Sequence, residues 1–192
     1  MTAGILLAAG QARRFGGDKQ LAMYGGETLL ARSARLLIES GFSPRIVVLA
    51  ASALQHRQAL AGLDVEIVLN PAPEQGISSS IRVGLKAVGG VDGAVITVCD
   101  QPFCTADHLK LLEDTASGTG SEIVASGYAG VAGVPAFFRS TVFSKLENLT
   151  GNRGAAMVIR GFLHGVSGGL SVVPFPEGAF DIDTPGDLAG LG

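Results

Sequence analysis

The chain has 192 residues, 47% of them hydrophobic and 16% charged, with a formal net charge of −3. This composition excludes a disordered chain and offers no basic surface for a nucleic-acid partner, and no run of about 18 apolar residues marks a membrane span. Two cysteines, Cys99 and Cys104, are too few for a disulfide framework. We therefore expect one domain over 1–192, cytoplasmic, with no signal peptide ahead of its first strand.

Strand-like and helix-like runs alternate along the chain. TAGILLAA (2–9) reads as a buried strand ending at Gly10. TLLARSARLLIES (28–40) carries apolar residues at helical spacing and stops at Gly41. Strands are then expected at 45–50, 65–70, 93–100 and 121–126, with helices at 52–62, 77–88 and 106–116 between them. GYAGVAG (127–133) predicts a mobile loop, and GVPAFF (133–138) a short strand. Helices follow at 140–149 and 154–163, a strand at 170–175, and a last helix at 184–191 with Pro185 in its first turn. The βαβα alternation predicts a mostly parallel sheet covered by helices on both faces.

In such sheets ligands bind beyond the carboxyl ends of the strands. ILLAAGQARRFGGDKQL (5–21) begins there, with a glycine turn followed by Arg13, Arg14, Asp18 and Lys19. Backbone N–H groups of a glycine-rich loop converge on phosphate oxygens, and Arg14 and Lys19 would neutralise their charge. The small Ala8 and Ala9 leave room for a flat base. The spacing is neither a P-loop, which needs Ser or Thr after the lysine where this chain has Gln20, nor a dinucleotide fingerprint. The expected ligand is a nucleoside triphosphate.

VCDQPF places Asp100 at another strand end, where a carboxylate suits Mg²⁺, which binds through one or two carboxylates plus phosphates and water. FDIDTPGDL (180–188) supplies the second, Asp181 or Asp183; we expect only one of these to face the cleft and take Asp183 as the ligand. Asn70 also ends a strand, and Ser78, Ser79 and Ser80 stand at a helix start, where they are candidates for nucleobase or ribose contacts. His56, His108 and His164 fall on expected helices away from strand ends. Cys99 reads as core packing, and so does Cys104.

Taken together, LAAGQARRFGGDK, GISSSI, DQP and DIDTP, with GVPAFF and LTGNRGA (149–155), resemble the molybdenum cofactor nucleotidyltransferase family, and its cytidylyl branch above all. The resemblance runs from Leu7 to Leu188. It implies a Rossmann-like three-layer α/β/α sandwich of the nucleotide-diphospho-sugar transferase type and Mg²⁺ as cofactor. The implied reaction joins CMP from CTP to the phosphate of molybdenum–molybdopterin and releases pyrophosphate. A client molybdoenzyme or its chaperone is an implied partner. Carried over by motif, Leu7, Ala8, Ala9 and Gly10 would hold base and ribose, Arg14 and Lys19 the triphosphate, Asn70 and Ser80 the nucleoside, and Asp100 and Asp183 the metal. The LAAG form resembles the cytidylyl branch, since guanylyl relatives usually show LAGG. The chain departs from the pattern at Asn152, where the family often has Asp, and at Ala156, where it often has Arg; Arg153 would then supply the charge that holds the acceptor phosphate.

An acceptor phosphomonoester is largely ionised at neutral pH, its second pKa being about 6, so no general base is required. Lys19, Arg14 and Asp100 would act by alignment and charge stabilisation. The alternatives are a GTP-using enzyme, a sugar- or alcohol-phosphate nucleotidyltransferase of the same fold, and a non-catalytic nucleotide-binding cofactor chaperone.

Overall fold

Period-two alternation sorts the first strand between two cores. In β1 (Thr2–Ala8), Ala3, Ile5 and Leu7 enter one apolar cluster, together with Ala9 just past the strand, while Leu6 and Ala8 enter another. A strand buried on both faces needs helices on both sides, and this chain supplies them. The computed structural model describes residues 1–10, 15–51, 54–163 and 169–190. Arg13, Arg14, His164, and the ends of the expected helices at 52–53 and 191 lie outside these residues.

The remaining strands are β2 (Met23–Tyr24), β3 (Glu27–Thr28), β4 (Arg45–Ala50), β5 (Glu66–Asn70), β6 (Gly93–Val98), β7 (Ile123–Tyr128), β8 (Val131–Arg139) and β9 (Leu170–Pro174). The helices are α1 (Leu29–Glu39), α2 (Leu54–Ala59), α3 (Ile77–Val88), α4 (Ala106–Thr119), α5 (Phe143–Glu147), α6 (Ala156–Leu163) and α7 (Pro185–Ala189). None of the described helices is long and apolar enough to cross a membrane.

Seven strands form one sheet in the order β5-β4-β1-β6-β8-β7-β9. β1 is parallel to β4 and β6, and β5 is parallel to β4. β8 runs antiparallel to both neighbours, and β9 returns parallel to β7. The α3, α5 and α6 layer covers the face bearing Ile5 and Leu7, and α1 and α4 cover the face bearing Leu6 and Ala8. This is the expected mostly parallel α/β/α sandwich.

α3 lies unusually close to the sheet. A Cβ on Gly84 would sit 2.7 Å from Ile5 Cγ2 and 3.2 Å from Val48 Cγ2, so glycine sets that separation. Gly76 and Gly89, both at positive φ, bracket α3 at the predicted ends.

Two expectations change, and one element is added. The segment 127–133 is no loop: β7 runs to Tyr128, β8 starts at Val131, and Ala129 and Gly130 turn between them with φ of 48° and 77°. Two consecutive positive-φ residues make the tight turn whose twist matches a hairpin. β2 and β3 form a second small hairpin around Gly25 and Gly26 by the same device, and nothing in the hydrophobic pattern announces it. The helix expected over 140–149 is a 3₁₀ turn at Ser140–Val142 followed by α5.

Candidate active site

The strand order turns at β1: successive crossovers lead through β4 to β5 on one side, and the chain then returns to β6 on the other. A crevice opens at such a switch point, beyond the carboxyl ends of the strands. Here it is a cavity of about 500 Å³. Leu7, Ala9 and Gly10 come to it from the end of β1, and Val98, Cys99 and Asp100 from the end of β6.

Lys19 reaches in from a 3₁₀ turn (Lys19–Leu21). Its Nζ donates to Asp100 Oδ2 at 3.0 Å and to Asp183 Oδ1 at 3.3 Å, with the side chain only 12% exposed. Burial alone would push this ammonium down, but the Asp100 and Asp183 carboxylates outweigh it and hold Lys19 above its ordinary pKa. It is a fixed positive charge at any working pH.

Asp183 arrives from the far end of the chain because its segment is stitched in place. Ile182 is fully buried and its N–H donates to Asp100 O at 2.8 Å. Beyond it, Asp187 Oδ2 accepts from the N–H groups of Asp183 and Thr184, and Thr184 Oγ1 caps α7 in return. Of Asp181 and Asp183, it is Asp183 that reaches Lys19. Residues two apart on an extended segment share a face, and these two flank the inward Ile182. Asp181 feels both neighbours: loss of solvent first, then the Asp100 and Asp183 charges, raise its pKa to about 6.

A divalent cation fits this arrangement. Among the described residues no three His, Cys, Asp or Glu side chains gather as a metal cage. Two carboxylates already share one cationic group, the Lys19 ammonium, and two carboxylates plus substrate phosphates and water are what Mg²⁺ takes.

The first turn of α3 forms the opposite wall, with Gly76, Ile77 and Ser80. Asn70 does not reach the cavity. It is 1% exposed, and its amide is consumed: Nδ2 donates to Ser79 Oγ at 2.7 Å and to Ser80 Oγ at 3.0 Å, and Oδ1 accepts from Ala72 N–H. Asn70 therefore stands behind Ser80 and orients it, a correction to the expected direct contact with a nucleoside. Ser79 closes the start of α3 by donating to Gly76 O.

Two more expected contacts are displaced. Ala8 points into the core under α1 and α4, because alternation along β1 sends it to the face away from Leu7 and Ala9, and it is not part of the cavity lining. Arg153 is exposed and outside the cavity lining, whereas its neighbour Asn152 lines it.

The structure also adds residues that the sequence pattern passed over. Gln20 lines the cavity, donating through Nε2 to Gly10 O at 3.0 Å while Oε1 meets His56 Nε2 at 2.8 Å. His56 Nε2 also contacts Asp18 Oδ1 at 3.1 Å. Both partners are acceptors, so Nε2 carries the proton. His56 is thus not remote from the site: it clasps the two sides of the segment after Gly10. Its signal was invisible because it sits inside α2, a short helix without any motif. Cys99 lines the cavity as well, but burial pushes its thiol up to about 12, and Cys104 likewise, so neither is a thiolate nucleophile.

The model of the MobA-like NTP transferase domain matches residues 4–167. The chain belongs to the MobA-like NTP transferase family. It is 29% identical to the purine catabolism protein PucB of Bacillus subtilis strain 168, over 95% of this chain and 91% of that one. It is also 29% identical to a molybdenum cofactor guanylyltransferase of Rhodobacter capsulatus, over 97% and 93%. Among solved structures, Rv0371c of Mycobacterium tuberculosis H37Rv superimposes with a TM-score of 0.82 at 30% identity, covering 99% of this chain and 96% of that one. The same mycobacterial protein has been solved in complex with manganese, with a TM-score of 0.77 at 28% identity over 99% and 97%. A nucleotidyl transferase from Methanothermobacter, at 22% identity and a TM-score of 0.84 over 100% and 95%, bears on the fold alone. As a MobA-like NTP transferase, the protein is a nucleotidyltransferase by family. The molybdenum cofactor relative is named for guanylyl, not cytidylyl, transfer.

Proposed function

We propose that this MobA-like NTP transferase moves CMP from CTP to the phosphate of molybdenum–molybdopterin, with Mg²⁺, and releases pyrophosphate. The observation that carries the reading is the Lys19 ammonium held between Asp100 and Asp183 at the switch point of the sheet. Lys19 binds the triphosphate together with Arg14. Leu7, Ala9 and Gly10 hold base and ribose, with Ser80 oriented by Asn70. Arg153, exposed outside the cavity lining beside Asn152, supplies positive charge to an acceptor phosphate that approaches from that side. Asp100 and Asp183 hold Mg²⁺, which when bound supplies Lewis-acid stabilisation of the reacting phosphates.

The acceptor phosphate oxygen attacks the α-phosphorus, a new P–O bond forms, and the bond to the β-phosphate oxygen breaks with its electron pair leaving on pyrophosphate. The nucleophile is already ionised, so the site needs no base. That agrees with a lining free of histidine among the described residues and with a Cys99 thiol that stays protonated. Lys19, whose charge is secured by its two carboxylates, draws electron density from the leaving group. Ala9 on the cavity wall, where guanylyl relatives usually show glycine, supports CTP as donor. The product would pass to a client molybdoenzyme or its chaperone in the cytoplasm.

The test is pyrophosphate release with Mg²⁺, CTP or GTP, and molybdenum-loaded molybdopterin. Release with CTP that depends on acceptor is the expected result. Release with GTP alone would replace the donor and agree with the guanylyl name of the Rhodobacter relative. Nucleotide binding without release would favour a different acceptor or a non-catalytic carrier.

A further inference from the structure

In the proposed reading the phosphate end of the cavity is marked by Lys19. Lys19, in contact with Asp100, is the only cation of its lining among the described residues. The other end, where Gly76 and Ile77 of α3 meet the turn after α5, carries the Glu74 carboxylate and the Asn152 amide. A triphosphate held at Lys19 leaves the wall of Gly76, Ile77 and Asn152 to the base.

That turn is held from three directions by α3. Arg82 Nη1 donates to Leu149 O at 2.6 Å, and Ser78 N–H donates to Gly151 O at 3.2 Å. At Gly76 the two segments nearly touch: a Cβ there would fall 2.4 Å from Gly151 O and 2.5 Å from Asn152 Oδ1. Absence of a side chain at Gly76 is what lets Asn152 stand at the cavity wall. The turn is built to fix one exposed amide beside the first turn of α3.

We infer that Asn152 reads the edge of the nucleobase and is a specificity-determining residue of the site. This rests on the nucleotidyltransferase reading above. A carboxamide offers both an acceptor and donors. Cytosine presents an amino donor beside a ring-nitrogen acceptor, and the amide complements both. Guanine presents two adjacent N–H donors beside its carbonyl, and a carboxylate complements those donors as a double acceptor. The Asn152→Asp change keeps the shape and exchanges donor for acceptor: it gains a match to guanine and sets a lone pair against the cytosine ring nitrogen.

The experiment measures Kd for CTP and for GTP, with Mg²⁺, by calorimetry on the unsubstituted protein, Asn152→Asp and Asn152→Ala. Asn152→Asp is expected to move the CTP-to-GTP Kd ratio toward GTP by roughly tenfold or more, the scale on which a bidentate side-chain–base pair discriminates. Added negative charge weakens both nucleotides alike and cancels in the ratio. Asn152→Ala is expected to weaken the preferred nucleotide and flatten the ratio. A ratio within twofold of the unsubstituted protein in both folded variants overturns the assignment, and if Asn152→Asp does not fold, the Ala variant decides alone. Pyrophosphate release by the unsubstituted protein separates the two claims. An unmoved ratio with turnover intact overturns only the role of Asn152, and failure of the unsubstituted protein to bind either nucleotide overturns both.

Discussion

Replacing Gly76 by alanine should be far more damaging than one methyl group suggests. The backbone there has φ 88° and ψ 178°, a region that only glycine occupies without strain, and forcing another residue into it costs on the order of 1–3 kcal/mol. The new Cβ would also lie 2.4 Å from Gly151 O and 2.5 Å from Asn152 Oδ1. A carbonyl cannot rotate away, so the turn 149–152 must move, an overpacking cost of about 1–3 kcal/mol. Together these give a loss of roughly 2–6 kcal/mol, a large part of the about 5–15 kcal/mol that holds a domain folded. Gly118 is the control: it lies inside α4 with nothing within 4 Å of its would-be Cβ, so alanine there should stabilise by roughly 0.5–1 kcal/mol. Urea unfolding of both variants reads the difference. If Gly76→Ala unfolds within about 0.5 kcal/mol of the unsubstituted protein, the ordinary scatter for surface changes, the packing argument fails. A shift of the turn should also weaken nucleotide binding, which calorimetry on the same sample measures.

Lys19→Met removes the charge and keeps most of the stem; nucleotide affinity should fall roughly 10- to 100-fold, the scale of a charge-assisted hydrogen bond, and an unchanged Kd would exclude Lys19 from the triphosphate site. Asp100→Asn should reduce Mg²⁺-dependent turnover by at least tenfold and weaken Mn²⁺ binding seen by paramagnetic relaxation, while leaving the melting temperature within a few degrees; full activity would remove Asp100 from the metal. His108 provides a pH dependence. Its Nε2 bonds Ser126 Oγ, its ring stacks on Phe175 at 4.3 Å, and burial pushes its pKa below the ordinary 6.5 despite the opposing charge of Glu177. A depressed folded pKa means that the unfolded chain takes the proton first. The stabilisation is complete above about pH 6.5 and drains away as pH falls through the folded value. His108→Gln should flatten the denaturation midpoint below pH 6.5, and an unaltered slope would show that His108 does not titrate on unfolding.

The sequence was most informative where one residue type answers to one constraint. β-branched runs marked the parallel strands because burial on both faces demands them, and α3 began and ended at its glycines. Lys19 and Asp100 were legible as neighbours only through the rule that strand ends share an edge, since 81 residues separate them. Asn70 misled because a polar residue at a strand end looks the same whether its amide faces a ligand or is consumed by Ser79, Ser80 and Ala72. Ala8 misled for a related reason: small size was readable, direction was not applied. His56 carries no local signature, and Asn152 was marked by the LTGNRGA motif but not placed by it; both places follow from which loops the sheet order brings together. The Ala129–Gly130 hairpin was hidden because an alanine at positive φ has no compositional mark.

The ion pairs of Lys19 tie residue 19 to residue 183, a separation of 164 residues. A ribosome delivers the first of these long before the second. Until the segment around Ile182 emerges and docks on Asp100, the growing chain has the lysine and one carboxylate but not the other. β9, whose edge position follows β7, is also laid down late. A partly made or C-terminally clipped chain would therefore present an incomplete crevice, unable to hold a metal in the proposed way. The crevice proposed here is complete only once the segment carrying Asp183 has been made and has docked.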